Sequence, residues 1–328
     1  MPISNLTPYA AVDVPMLDAQ GREVAVALVK ATFEVRPDGR VVPSEEPSAI
    51  RAGDVVRDPD DLRSSLLYPS DLGPAKRGTD VVVVGEAVSK APVKALDVAI
   101  KVRERAVTLR VHGERMFYKS LSGIAVGPAA PFERKLLAYE RAYGGASDDW
   151  SVVEHRNPSG VGVAKQRSDL VDRPAPQIES PARPYSGPGD EPEPVGFGAI
   201  MTHWSPRKEH VGTYDEAWIK GRMPLPPRDF DDRFWNVAHP SLQFEAPLVA
   251  GDAISITGMT LDRFVFHLPA LPLRIRGRFD GRPNHEVRPA IDTVLIEPSL
   301  RRFEVIARQS FPIGRRREVL REIVVELD

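Results

Sequence analysis

The residues best suited to chemistry lie close together in the second half of the chain. His203-Trp-Ser-Pro-Arg-Lys-Glu-His210-Val-Gly-Thr-Tyr-Asp215 carries two imidazoles and carboxylates, the nitrogen and oxygen donors that can bind a metal or shuttle a proton. Downstream, Asp229-Phe-Asp231-Asp232 gathers carboxylates of the kind a hard cation or a paired general acid and base requires. His203, His210, Asp215, Asp229 and Asp231 are therefore the set from which a metal-assisted hydrolase would be built. Their spacing argues for something plainer. Pro206 breaks any helix that would align the first group, and no zinc or nuclease spacing is present. The aspartates lack the further ligands and the turn glycine of a calcium loop. Asx turns and ion pairs to Arg228 or Arg233 account for them more cheaply.

Other chemistries are excluded more firmly. With no cysteine in 328 residues, thiol nucleophiles, disulfides, thiolate metal sites and iron–sulfur clusters are ruled out. A Gly-x-Ser-x-Gly nucleophile elbow is absent. Tyr143-Gly144-Gly145 and Asn157-Pro-Ser-Gly160-Val-Gly162 lack the following Lys-Ser/Thr of a phosphate cradle and read as turns. No cofactor or metal is expected. Lys+Arg 44 against Asp+Glu 46 leaves a charge of -2, too little cation for nucleic acid, and Arg315-Arg316-Arg317 reads as a solvated face. Neither a signal-peptide pattern nor a membrane-length apolar window occurs, so no membrane insertion and a cytoplasmic location are expected.

These residues need elements to position them, and the patterning supplies mostly strands. Val24–Val29, Val98/Ile100/Val102, Val107/Leu109/Val111, Ile254/Ile256, Phe264–Leu268, Val294–Ile296, Phe303/Val305 and Ile323–Val325 read as β runs. Val81–Val84 reads as a strand buried on both faces, and Pro37-Asp38-Gly39 as a hairpin turn. Short connections point to an antiparallel meander in the first part. Two stretches, Glu133–Ala142 and Arg315–Glu322, have helix-forming composition. The 32 prolines crowd into the middle. The reading is a mainly β chain with few short helices. Antiparallel, sandwich-like sheets occupy an N-terminal block (1–130) and a C-terminal block (241–328), joined by a long Pro/Gly-rich loop segment (131–240). All four tryptophans fall in that segment, which is therefore expected to be ordered, weakest between Asp172 and Pro194 where aromatics nearly vanish. The two β blocks are either separate sandwiches or one compact unit.

Several words recur in a familiar order: Lys30-Ala-Thr-Phe33, Ser64-Ser65-Leu66, Ser70-Asp-Leu-Gly-Pro-Ala-Lys76-Arg-Gly-Thr-Asp80-Val81, Tyr139-Glu-Arg-Ala-Tyr143-Gly-Gly145, Asn157-Pro-Ser-Gly160, Pro194-Val-Gly196-Phe-Gly198, Trp204-Ser-Pro-Arg207, Gly212-Thr-Tyr-Asp215 with Trp218, and Asp229-Phe-Asp231 leading to Phe234-Trp-Asn236. In this order the chain resembles a bacterial family of unknown function encoded within type VI secretion clusters, whose members act as accessory or adaptor proteins. It departs from that pattern late, where Ala307-Arg308 stands in place of a Trp-Arg pair.

The resemblance implies a non-enzymatic role: binding a secreted effector, through its PAAR-type tip domain or N-terminal region, and loading it onto the VgrG spike. It carries over no catalytic set. A contact surface is expected from Trp204, Arg207, Tyr214, Asp215 and Trp218, with aromatic area for affinity and Arg207 for directional hydrogen bonds. Tyr143, Gly144, Gly145, Gly196, Gly198, Asp229, Asp231 and Asn236 are expected to shape the framework. The competing possibility is that the contact residues are themselves buried framework. Two other functions stay open: the hydrolase above, and a carbohydrate-binding β module using exposed aromatic platforms.

Overall fold

Alternating apolar residues in short runs favour pleated strands with one face inward, and the computed structural model, which describes residues 2–18, 20–61, 63–313 and 319–328, is mainly β with very few helices. Three sheets carry the fold. The seven-stranded sheet runs Gln243–Phe244, Thr79–Val83, Ile291–Glu297, Arg302–Pro312, Glu23–Val35 and Ala10–Leu17, with Val41–Pro43 hairpinned onto the end of Glu23–Val35. A five-stranded sheet runs Ile178–Glu179, Arg105–His112, Ala95–Val102, Ala253–Thr257 and Phe264–His267. The third has four strands: Ile3–Asn5, Leu320–Leu327, Leu273–Phe279 and His285–Val287. Strands from before residue 131 and from after residue 240 are neighbours in every one of them.

The 13-residue Glu23–Val35 strand explains how the sheets stack. On its odd-numbered face Ala31, Phe33 and Val35 meet Val98, Ile100, Ile256, Phe264 and Phe266 of the five-stranded sheet in one core. Further back on that face, Ala25, Ala27 and Val29 pack with Ile275, Phe311, Ile323 and Val325 in a second core shared with the four-stranded sheet. Small side chains at 25 and 27 let the second sheet approach closely.

The even-numbered face of the same strand buries charge. Lys30 and Glu304 lie on adjacent strands, beneath the Ser44–Lys76 cover. Lys30 Nζ donates to Asp71 Oδ2 at 2.8 Å and to the Ala49 carbonyl at 2.8 Å, and lies 3.2 Å from Glu304 Oε2. Arg51 spans the two acids, 3.0 Å from Asp71 Oδ1 and 3.0 Å from Glu304 Oε1. Two cations thus balance two anions. The rows continue with Arg308, whose guanidinium meets Asp292 and the Asp71 carbonyl, and with Lys76, which donates to Asp80 at 2.6 Å and Thr293 at 2.9 Å.

Three expectations from sequence are revised. The Val81 run is buried on both faces, but its neighbours are Ile291–Glu297, in parallel, and Gln243–Phe244, so the first part is not a simple meander. Within Glu133–Ala142, Phe132–Leu136 forms a strand against Glu86–Val93 and only Tyr139–Arg141 makes a 3-10 turn; long-range pairing overrides a local helix preference of a few tenths of a kcal/mol per residue. In the second helix candidate, Arg315 to Glu318 lie outside the described residues, while Leu320–Glu322 are in the Leu320–Leu327 strand.

Asp172–Pro194 is anchored at points despite its few aromatics. Ala175, Gln177, Ile178, Glu179 and Tyr185 are buried there, because Ile178–Glu179 joins the edge of the five-stranded sheet. Burial alone would raise Glu179, but hydrogen bonds from His112 Nε2 and Arg115 Nη2, both at 2.8 Å, bring its carboxyl down to about 2. A depressed carboxylate contributes stability that is present above its ordinary value of 4.5 and lost as pH falls toward about 2. The advantage of this protein over its Glu179→Gln variant is expected to shrink from about 3 kcal/mol at neutral pH to little near pH 2. Urea midpoints of both proteins across that range test it, and a constant difference would refute it.

Candidate partner-binding surface

Trp204 and Arg207 do not form a contact surface. Trp204 is 1% exposed and packs edge-on against Tyr139 with ring centroids 5.4 Å apart, its indole N–H donating to His203 Nε2 at 3.1 Å. Arg207 is buried; its Nη1 donates to the Ile200 carbonyl at 2.6 Å and its Nε to the Phe234 carbonyl at 2.9 Å. Burial pulls its pKa below the usual guanidinium value. The buried-framework alternative holds for both residues, since a large indole and a five-donor fork both find their partners inside.

The loop beyond them turns outward. Asp229 grips it, accepting from Thr213 N at 3.0 Å and Thr213 Oγ1 at 2.7 Å. Gly212 sits at φ +82, where a Cβ would lie 2.9 Å from Asp229 Oδ1, so only glycine turns the chain there without strain. Asp215 then caps the single α-helix among the described residues, Glu216–Gly221, accepting from Trp218 N at 2.8 Å. Six residues are too few to hold a helix unaided. The Trp218 indole supplies the anchor, donating to the Leu225 carbonyl at 2.8 Å while its ring meets Tyr214 at 4.6 Å.

None of the helix's residues is buried. Tyr214, Ile219 and Met223 are 51%, 58% and 62% exposed, and Trp218 is half-buried beneath them. A pinned segment therefore displays three large apolar side chains to solvent, with Glu216, Lys220 and Arg222 standing between Tyr214 and Met223 along the chain. Ile219 and Met223 were not singled out from sequence. The available signal was apolar residues standing between charges in a proline-rich stretch without strand alternation.

The remaining framework residues interlock. Asn157 Nδ2 donates to the carbonyls of Tyr139 and Tyr143, both at 2.9 Å, and the Gly145 amide donates to Asn157 O at 2.7 Å. Gly144 sits at φ +146, and a Cβ on it would lie 2.2 Å from Asn157 O. A Cβ on Gly196 would strike the Tyr139 ring at 2.7 Å, and Tyr139 Oη donates to Gly198 O at 3.2 Å. Ser65 binds Glu140 through its amide and hydroxyl at 2.7 and 2.8 Å. Asn236 Nδ2 reaches Gln243 at 3.2 Å, and Val237 N donates to Asp80 at 2.6 Å. The words noticed in sequence touch one another, and so build the frame.

The five hydrolase candidates are dispersed among other duties. Asp229 holds Thr213, Asp215 caps a helix, and Asp231 is bound by Arg233 through its amide and guanidinium. His210 approaches Asp231 at 3.9 Å, while the His203 Nε2 receives the Trp204 proton. Hydrogen bonds from Arg233 draw Asp231 down to about 2, and the Thr213 amide lowers Asp229; a general acid needs the opposite shift. Among the described residues, no group of three or more His, Asp or Glu converges as a metal would require. No helix among them is long and apolar enough to cross a membrane.

A family model of uncharacterized proteins conserved in bacteria matches residues 20–308. No curated protein and no solved structure matches the chain. The matched span takes in the seven-stranded sheet from Glu23 to Arg308 and every framework word described above, and on that extent the chain belongs to the DUF2169 family of uncharacterized bacterial proteins.

Proposed function

We propose that this protein is a non-enzymatic adaptor that holds a type VI secretion effector, through its PAAR-type tip domain or N-terminal region, and assists its loading onto the VgrG spike. The carrying observation is the exposed Tyr214, Ile219 and Met223 on and beside the Glu216–Gly221 helix, which is pinned at its start yet buries nothing. Apolar and aromatic residues within a charged rim are what a releasable protein interface uses, and pre-ordering by Asp215, Asp229 and Trp218 lowers the entropy cost of binding. The order of motifs along the chain supplies the secretion context.

The test is co-purification of the protein with a co-expressed neighbouring effector and VgrG, alongside a Tyr214→Ala/Ile219→Ser double variant. Both replaced side chains are more than half exposed, so circular dichroism and urea midpoint should be unchanged while complex recovery falls about tenfold or more. Recovery of neither partner by the unmodified protein would defeat the adaptor reading. Full recovery by the variant would defeat this surface alone, and saturable glycan binding without a protein partner would favour a carbohydrate module.

A further inference from the structure

The five-stranded sheet has an edge that the chain itself leaves unfilled. Arg105–His112 pairs along its length with Ala95–Val102, but on its other side Ile178–Glu179 reaches only Val111 and Arg110. The chain then turns away at Ser180 and Pro181, with Arg183 N donating back to Ser180 O at 3.1 Å; proline has no N–H with which to extend a ladder. Register tells which groups are left over. Val102 and Arg105 flank a two-residue turn and form a hydrogen-bonded pair, so odd-numbered residues bond to Ala95–Val102 and even-numbered ones face the other way. His112 follows the rule, its N–H donating to Gln177 O at 2.7 Å. Ala106 and Thr108 therefore aim N–H and C=O outward, and neither has a backbone partner on that side among the described residues.

An open groove of about 580 Å³ runs beside this edge. Its far wall is the Pro240–Ala246 segment, which includes Gln243–Phe244, the edge strand of the facing seven-stranded sheet. Phe244 lies in it under the Arg105 guanidinium at 4.4 Å, and Arg105 Nη1 donates to Gln243 O at 2.6 Å.

We infer that this groove takes an extended segment of a partner protein, roughly four or five residues long, added as a further strand against Ala106–Leu109. The four outward backbone groups of Ala106 and Thr108 dictate a β-conformation for the occupant. Val107 and Phe244 favour apolar side chains at its inward, alternate positions, and Arg105 favours a carboxylate at one end. The Pro240–Ala246 wall stands across the groove, and a second copy would bring the same wall beside its own edge, so the occupant is a free extended segment and not another folded sheet. This site rests on the unpaired edge and not on the Tyr214 surface, so either can fail alone.

The probe is a fluorescein-labelled hexapeptide, Asp-Val-Thr-Val-Thr-Val, titrated with the full chain and followed by anisotropy. Saturable binding is expected. Thr108→Pro removes a donor on the open edge, just beyond the groove lining of Arg105–Val107, and none that faces Ala95–Val102, so the variant should keep its urea midpoint and lose at least tenfold in affinity. The same peptide N-methylated at alternate amides should lose as much against the unmodified protein, whatever the fate of the variant. Absence of saturable binding, or equal binding of the methylated peptide, would overturn the site, as would unchanged binding by folded Thr108→Pro protein. Dimerisation in light scattering that Thr108→Pro abolishes would overturn the peptide occupant in favour of a second copy.

Discussion

Replacing Lys30 with alanine is expected to cost about 3–5 kcal/mol, enough to leave much of a marginally stable chain unfolded. Lys30 is 0% exposed, and its ammonium is the cation lying deepest between Asp71 and Glu304, each 1% exposed at the side chain. Removing it strands carboxylate charge in a water-poor site and opens a cavity. Burial would raise Glu304, but the Arg51 hydrogen bond and the charges of Arg51 and Lys30 outweigh it and hold its pKa below the ordinary value; part of that support disappears with the lysine. Arg51→Ala should cost less, because its side chain is 15% exposed and water can replace it. Urea denaturation of both variants decides the matter. A Lys30→Ala loss under about 1 kcal/mol would mean that water enters freely and the network is not internal.

The second large effect is expected at Trp204. Truncation to alanine removes a fully buried indole from its packing against Tyr139, and should cost about 3–5 kcal/mol. Trp150→Ala is the matched control: that ring is 49% exposed beside Arg63, and its loss should stay within about 1 kcal/mol. Equal urea midpoints for the two variants would contradict the burial assigned here. For the adaptor reading, any loss of partner binding on changing Trp204 should track unfolding, whereas changes at Tyr214 or Ile219 should separate binding from stability. The division follows from the layout: many of the motif residues face each other, whereas Tyr214 and Ile219 are more than half exposed.

That layout also gives the aspartates of the loop a structural task. Asp215, Asp229 and Asp231 each satisfy backbone amides that a tight, proline-rich loop would otherwise leave exposed. The hydrogen bonds that Asp229 and Asp231 accept hold their carboxyls below the ordinary value, which suits a structural acceptor and disfavours proton delivery.

Much of this protein is determined locally. Alternation at Val98–Val102 and Val107–Val111 specifies a hairpin because side-chain period and a short turn act within a dozen residues. The buried Val81 run, the Pro37-Asp38-Gly39 turn and the mainly β character follow likewise. Asp231 is legible as a turn acceptor because a carboxylate before a turn acts on amides two or three residues away, whereas the cap made by Asp215 appears only in the structure. Other features are set from afar. The strands beside Thr79–Val83 come from residues 243–244 and 291–297. Lys30 reads as a surface lysine in a β run until Asp71, Arg51 and Glu304 close around it. Trp204 and Arg207 have the composition of an interface anchor, and only the arrival of Tyr139, Ile200 and Phe234 makes them core. Tyr214, Ile219 and Met223 stay outside because no strand reaches them. Inside or outside is a property of what the chain brings back across tens to hundreds of residues. The energy that decides it, desolvation set against long-range pairing, is defined only once the sheets have assembled.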